Sequence, residues 1–152
     1  MNNTQTVSQA TVEQRLAAFE KECRHRGLRV TEQRRAIFRA VAASTAHPCA
    51  EAVYETVRQK MPNVSLDTVY RTLASLEEMD LLMRVGLSAR ARFDGDMRPH
   101  CHFVCTQCGE VYDIFLKENE TLPTLAGASQ WGEVKQVNMQ LRGVCNRCRA
   151  GK

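Results

Sequence analysis

Hydrophobic residues in the first half of the chain recur at helical spacing, in four groups. The groups are Val12, Leu16, Phe19 and Cys23; then Ile37, Ala40 and Val41; then Ala50, Val53, Tyr54, Val57 and Met61; and finally Leu66, Val69, Leu73 and Leu76. Intervals of three or four residues place each group on one face of a helix, so four helices are predicted. Gly27 and Pro62 are predicted to end the first and third helices, and Thr31 and Ser65 to cap the second and fourth.

The fourth helix carries a second, polar stripe on its other face. Its members are Thr68, Arg71, Thr72 and Ser75. Such a stripe is typical either of a solvated helix face or of a recognition helix, because short polar side chains and Arg suit base edges and phosphates in the major groove of DNA.

The residues after the fourth helix favour the recognition helix. Residues 81–85 and 90–93 have the pattern of two short strands around a turn, which predicts a hairpin carrying Arg84, Arg90 and Arg92. Helices that lead into a small hairpin are typical of a winged-helix DNA-binding domain.

In the second half of the chain, the pattern of hydrophobic residues changes from the helical period to that of strands. The predicted elements are strands at residues 100–105, 110–115 and 133–144 and a short helix at residues 122–128. The predicted fold class is therefore α+β, with a winged-helix domain at residues 1–88 and a small α/β domain at residues 89–152. Free strand edges in the second domain favour pairing between two copies, so a dimerisation role is expected there.

Composition restricts the class of protein. A chain of 152 residues that is 43% hydrophobic and 25% charged is typical of a soluble globular protein. It has no apolar run long enough to span a membrane and no signal peptide, so a cytoplasmic location is expected. The formal net charge of +4 lies entirely in residues 1–92, which hold 14 Lys and Arg against 10 Asp and Glu. A basic first half favours an anionic partner, although an excess of this size supports nucleic acid only weakly.

Seven cysteines are unusual for a cytoplasmic chain, and an odd number cannot pair fully into disulfides. Four of them form two C-x-x-C motifs, Cys105 with Cys108 and Cys145 with Cys148, which 36 residues separate. Two such motifs can supply four thiolates in a tetrahedron, the arrangement typical of structural zinc. The alternative is unligated thiols or a redox pair, which the matched spacing disfavours.

A second group of candidate ligands contains histidine and aspartate. His100 and His102 are two apart on a predicted strand, so both imidazoles face the same side while Cys101 faces the other. Asp94, Asp113 and His47 are further candidates, each with a structural alternative as a turn, surface or helix-start residue. The His-x-His pair beside a C-x-x-C motif favours a metal site.

With these motifs the chain resembles the ferric uptake regulator family of bacterial metal-responsive repressors. The matching motifs are Gly27-Leu-Arg-Val-Thr-Glu-Gln-Arg34, His47-Pro-Cys-Ala-Glu-Ala-Val-Tyr54, Ser65-Leu-Asp-Thr-Val-Tyr-Arg-Thr-Leu73, and the block from His100 through Cys108-Gly with its second C-x-x-C motif. They occur in the family's order and cover nearly the whole chain. The resemblance implies a winged-helix DNA-binding domain, a hinge and a dimerisation domain.

The resemblance also implies roles for particular residues. The family's regulatory metal positions fall on His47, Asp94, His100, His102 and Asp113. By the same resemblance, the DNA contacts are Arg29, Tyr70 and Arg71. A set of imidazoles and carboxylates without sulfur suits Fe(II) or Mn(II). Asp94 stands where zinc-sensing relatives often place Cys, and Asp at 113 is similar to the peroxide-sensing branch, in which iron-catalysed oxidation of a ligand histidine inactivates the repressor. His47 and His100 match the oxidisable positions.

Some positions depart from the family pattern. Pro99, Cys101 and Val137 stand where many members place parts of a further metal site, so no complete third site is expected. Asp67 replaces a small residue of the recognition helix, so the resemblance does not determine the operator sequence. Burial as small apolar residues is expected for Cys23, Cys49 and Cys101. Redox activity is the alternative for Cys49 and Cys101, which lie next to candidate ligands.

The sequence therefore predicts a repressor that is not an enzyme. It would bind a double-stranded operator, with an inverted repeat expected, as a homodimer holding structural Zn(II) and regulatory Fe(II) or Mn(II), and it would respond to peroxide. The alternatives are an iron-responsive uptake regulator without peroxide sensing, or a zinc-uptake regulator. An iron enzyme and a zinc-held interaction module are the rival classes. Five protein ligands leave little room for a substrate, which disfavours the enzyme.

Overall fold

A computed structural model of the chain describes residues 7–86, 91–123, 125–135 and 137–151, with the exception of the Ala126 side chain. The chain divides into two compact units, Met1–Met97 and Arg98–Lys152. The sequence predicted the boundary at residue 88. Within the described ranges, no helix combines the length and the apolar character that a membrane crossing requires.

The first unit consists of four helices followed by a two-stranded hairpin. Its elements are α1 (Gln9–His25), α2 (Glu32–Ala42), α3 (Ala50–Arg58), α4 (Leu66–Glu78), β1 (Met83–Val85) and β2 (Arg92–Asp94). The hairpin strands are antiparallel, with Arg84 opposite Phe93. This is the predicted winged-helix order. Of the basic residues predicted on the hairpin, Arg90 lies outside the described residues.

Side-chain caps and left-handed residues set the ends of these helices. Ser8, Thr31 and Ser65 each accept a hydrogen bond from the backbone N–H three residues later, and such a cap contributes about 1 kcal/mol. After α1, the N–H of Leu28 donates to the Cys23 carbonyl at 2.8 Å, around Gly27 with φ +67°. Gly27 tolerates this conformation because it has no Cβ. The predicted caps and the end of α1 are confirmed.

The core of the first unit follows the predicted stripes. Val12, Leu16, Phe19 and Cys23 are all buried along α1, and Phe19 stacks on Phe38 of α2 with ring centroids 4.1 Å apart. Phe38 was not among the predicted inward residues. The third helix was predicted too long: it ends at Arg58, so Met61 lies beyond it, half-buried against the core.

The second unit contains a three-stranded sheet. Its elements are β3 (His100–Cys105), β4 (Val111–Phe115), a 3-10 helix (Ala126–Gln130), β5 (Gln140–Gly143) and a one-turn helix α5 (Asn146–Arg149). The strand order is β4-β3-β5, with β3 and β4 antiparallel and β3 and β5 parallel.

Two predictions for the second unit were wrong. The predicted strand over residues 133–144 is confined to Gln140–Gly143, and residues 133–135, where the strand was predicted to begin, are all exposed. The short helix predicted at residues 122–128 occurs instead as a 3-10 helix at Ala126–Gln130.

Candidate metal centres and recognition helix

The four cysteines of the two C-x-x-C motifs converge in the second unit. Their Sγ atoms all lie within 4.8 Å of one another. The Cys105 and Cys148 sulfurs are 3.9 Å apart, as are those of Cys108 and Cys145. Zinc–thiolate bonds of about 2.3 Å define a tetrahedron with edges of about 3.8 Å. The spacing of the sulfurs therefore fits one structural zinc ion.

Backbone N–H groups favour the thiolate form of Cys105. The N–H groups of Cys145 and Cys108 point at its sulfur, at 3.3 and 3.5 Å. These hydrogen bonds, that of Cys145 first, lower the pKa of Cys105 to about 6, because they stabilise the charged form. The hydrogen bond with Cys145 instead raises the pKa of Cys148 to about 12. Four adjacent thiols thus lose all their protons only when a cation compensates the charge.

A guanidinium lies next to this cluster. Arg147, between the two cysteines of the second motif, places Nη2 3.7 Å from the Cys108 sulfur and 3.8 Å from a Glu110 carboxylate oxygen. Four thiolates around Zn(II) carry a net charge of −2, and a nearby cation reduces that charge. The C-x-x-C spacing alone did not indicate this role for Arg147.

The strand pair β3–β4 brings three candidate ligands together. His102 lies opposite Asp113 in the register. The Nε2 atoms of His100 and His102 are 3.0 Å apart, and Asp113 Oδ1 lies 3.5 Å from His102 Nε2 and 3.9 Å from His100 Nε2. Both imidazoles are buried. The predicted common face of the two histidines is confirmed, and cross-strand pairing adds the carboxylate.

The orientation of His100 is set by its other ring nitrogen. Nδ1 lies 2.7 Å from the Arg98 carbonyl oxygen, which only accepts, so Nδ1 donates. In the neutral ring the Nε2 lone pair then faces His102 and Asp113. This pattern of one nitrogen donating to a carbonyl and the other facing the ligands is typical of metal-binding histidines.

In the first unit, His47 and Asp94 form a buried pair. His47 Nε2 lies 3.9 Å from Asp94 Oδ2, and both side chains are at most 5% exposed. His47 adopts a left-handed backbone with φ +49° just before α3. This conformation is uncommon for residues with a Cβ and costs about 1–3 kcal/mol. Asp94 is the last residue of β2, not a turn residue after the hairpin.

Two of the three residues proposed to contact DNA lie on α4, and both are exposed. Tyr70 donates a hydrogen bond from its hydroxyl to Glu51 Oε1 of α3 at 2.8 Å, and Arg71 Nε lies 3.0 Å from Asp67 Oδ2. Arg29, in the turn after α1, is also exposed. Of the polar stripe predicted on α4, only Arg71 is exposed; Thr68, Thr72 and Ser75 are half-buried.

Comparison with known proteins identifies the family. The profile of the ferric uptake regulator family matches residues 25–142 of the chain. The chain belongs to the ferric uptake regulator family. The peroxide-responsive repressor PerR of Staphylococcus epidermidis is 29% identical over 139 residues, which cover 91% of this chain and 90% of that protein.

Two solved structures share the fold. A zinc-bound manganese uptake regulator is 28% identical, with a TM-score of 0.58 over 84% of this chain and 98% of that chain. The ferric uptake regulator of Helicobacter pylori is 23% identical, with a TM-score of 0.66 over 91% of this chain and 94% of that chain. The resemblance carried by the motifs and the predicted fold class are thus confirmed, and the chain is a metal-responsive regulator.

The remaining cysteines of this ferric uptake regulator chain differ in burial. Cys23 and Cys101 are fully buried, as predicted. Cys49 is only half-buried, at the N-cap of α3, so its predicted burial was wrong. The absence of a third metal site stays a prediction.

Proposed function

We propose that the chain is a transcriptional repressor that binds a double-stranded operator as a homodimer when its regulatory site holds Fe(II) or Mn(II). Peroxide relieves repression by oxidising a ligand histidine. The four cysteines hold the structural zinc. The regulatory ligands in this proposal are His47, Asp94, His100, His102 and Asp113.

The observation that carries the proposal is that each unit presents an incomplete set of ligands. The first unit offers the buried pair His47 and Asp94. The second offers His100, His102 and Asp113, whose ligand atoms approach to between 3.0 and 3.9 Å. An ion bound by both sets restricts the orientation of the units, and in a dimer that sets the spacing of two recognition helices. Metal then favours the DNA-binding conformer by differential affinity.

The donor set supports Fe(II) or Mn(II) over a sulfur-preferring metal. Three imidazoles and two carboxylates are borderline-to-hard ligands, and none of the five residues supplies sulfur. Fe(II), when bound, would activate peroxide next to its ligands, and net oxidation of one imidazole by one peroxide would add a single oxygen atom to the ring and release water. The residues themselves hold the ion and present an oxidisable imidazole, His47 or His100. The similarity to a protein named as a peroxide-responsive repressor supports this branch.

The DNA contacts proposed are Arg29, Tyr70 and Arg71. Arg71 and Tyr70 are exposed on α4, and Arg29 is exposed in the turn after α1. Arginine and tyrosine side chains are suited to phosphate and base-edge contacts. A recognition helix of this kind reads one half-site in each protomer, so a symmetric dimer matches an inverted repeat.

Replacement of His47 tests the proposal directly. A duplex selected from random sequence by the Mn(II)-loaded protein serves as the probe. We expect His47→Ala to abolish Mn(II)-dependent binding of this duplex while zinc content and dimer mass stay unchanged. His25→Ala is the matched control, because His25 is an exposed residue at the end of α1. DNA affinity unchanged in His47→Ala would overturn the proposal.

The peroxide branch has a separate test. After Fe(II) loading and peroxide treatment, peptide mass spectrometry should find one added oxygen atom on His47 or His100 and none on His25. A protein that binds DNA with Fe(II) but gains no oxygen is an iron-responsive regulator without peroxide sensing. Sustained turnover of peroxide would identify an enzyme instead.

A further inference from the structure

The segment that follows β2 is buried and hydrogen-bonded to itself. The backbone N–H of Asp96 donates to Asp94 Oδ1 at 2.8 Å. Asp96 is 5% exposed although it is charged. Burial of a carboxylate is costly unless it is paired. A partner for Asp96 is therefore required, and it comes from the other end of the first unit.

That partner is Arg15 of α1. Its Nη2 lies 2.5 Å from Asp96 Oδ2, and its Nη1 donates to the Ala42 carbonyl at the end of α2 at 2.7 Å. The side chains of Arg15 and Asp96 are 15% and 3% exposed. One planar guanidinium thus joins α1, the end of α2 and the segment after β2, which a lysine ammonium would not reproduce with the same geometry.

Gly95 brings the segment against the end of α2. A Cβ at this position would lie 3.1 Å from the Cα and 3.2 Å from the N of Ala42. Both are backbone atoms, which cannot move aside as a flexible side chain can. The segment from Asp94 to Asp96 is therefore fixed by a close backbone approach as well as by the ion pair.

The fixed segment determines which oxygen of Asp94 faces His47. Oδ1 accepts the Asp96 N–H, whereas Oδ2 lies 3.9 Å from His47 Nε2. Two ligand bonds of about 2.1 Å span at most about 4.2 Å, so Oδ2 and Nε2 are close enough to bind one ion. Rotation of the Asp94 carboxylate would break the hydrogen bond with Asp96.

We propose that Arg15 and Asp96 are positioning residues for the regulatory metal. They fix the segment that orients Asp94 Oδ2 towards the cation. This inference rests on the proposed function, because it concerns the same site. Neither residue is a ligand in the proposal. They act through Asp94, as hydrogen-bonded partners behind metal ligands do in other proteins.

The test measures Mn(II) binding by calorimetry and by Mn(II) electron paramagnetic resonance on the full-length, zinc-loaded protein. We expect Arg15→Met and Asp96→Ala to weaken Mn(II) binding by about 10- to 100-fold, the range found for such partners elsewhere. Asp96→Asn should restore most of the affinity, because its amide oxygen still accepts from Arg15. Zinc content should stay at the wild-type value in all three.

Arg39→Met is the matched control. Arg39 Nη1 lies 2.8 Å from Glu13 Oε1, so this pair also joins α2 to α1. Arg39→Met should therefore lower the midpoint of thermal unfolding without weakening Mn(II) binding. Mn(II) affinity that falls with the midpoint in every variant, Arg39→Met included, would mean a general loss of stability and would overturn the positioning role.

His47→Ala separates the positioning role from the proposed function. Equal Mn(II) affinity in the wild type and His47→Ala overturns the proposed function, and the positioning role with it. Weakened binding in His47→Ala together with wild-type binding in Arg15→Met and Asp96→Ala overturns the positioning role alone.

Discussion

The four-cysteine cluster and the histidine–aspartate groups differ in how their side chains are brought together. Each C-x-x-C motif is a local turn, and both turns lie in one unit beside the sheet. The histidines and aspartates come instead from the start of α3, the end of β2 and a strand pair, and they divide between the two units. A site built within one unit stabilises that unit, whereas the division of the other residues between the units is the basis of the proposed response to metal.

Loss of the cysteine cluster should have the largest effect. We expect Cys105→Ser to remove zinc and unfold the second unit, because structural zinc contributes about 10–16 kcal/mol of apparent binding free energy. Zinc analysis and near-ultraviolet circular dichroism measure this. Cys49→Ser is the control, since Cys49 lies outside the cluster and should keep the zinc. A folded, dimeric Cys105→Ser protein would show that the cluster is dispensable.

A change of one methylene should separate metal binding from oxidation. Asp113→Glu moves the carboxylate relative to His100 and His102 but keeps the same donor atoms. Mn(II)-dependent DNA binding should persist, while Fe(II)-dependent oxidation of histidine slows about tenfold, equivalent to about 1.4 kcal/mol in the barrier. Timed peptide mass spectrometry gives the rate. An unchanged oxidation rate would mean that Asp113 does not determine sensitivity to peroxide. Loss of Mn(II)-dependent DNA binding would mean that the longer side chain disrupts the metal site.

The smallest effect concerns the recognition helix, which binds no metal in either proposal. Asp67 neutralises Arg71 through an exposed pair, with side chains 69% and 81% exposed. Exposed pairs contribute about 0.2–1 kcal/mol, so Asp67→Asn should raise DNA affinity about two- to fivefold. The slope of the logarithm of the affinity against the logarithm of the salt concentration should also steepen, by roughly one released counterion. A salt titration by fluorescence anisotropy measures both. Glu78→Gln, at the exposed end of α4, should change neither; the same increase there would indicate a non-local charge effect.

Local patterns in the sequence predicted what local forces determine. The stripe on α1, the caps at Thr31 and Ser65, and the His100–His102 face all result from the geometry of a single helix or strand. Met61 was misplaced because its apolar side chain continues the helical spacing beyond Arg58, where α3 ends, and its own N–H still donates to the Val57 carbonyl at 2.9 Å.

Contacts between distant residues were missed. Arg15 and Asp96 lie 81 positions apart, and Asp94-Gly95-Asp96 has the composition of an ordinary polar turn. Nothing in that composition indicates that it is buried against α2. The pairing of His102 with Asp113 likewise depended on the register of β3 and β4, which the alternation of residues does not determine by itself.

The parallel pairing of β3 and β5 has a consequence for the unfolded chain. Cys105 and Cys145 lie 40 residues apart, and the pairing brings the N–H of one to the sulfur of the other. A zinc ion that stays bound to both cysteines when the chain unfolds closes a loop, as a disulfide would. For a loop of roughly this size the lost chain entropy stabilises the fold by about 4 kcal/mol. Unlike a disulfide, this crosslink resists thiol reductants and opens to chelators and acid.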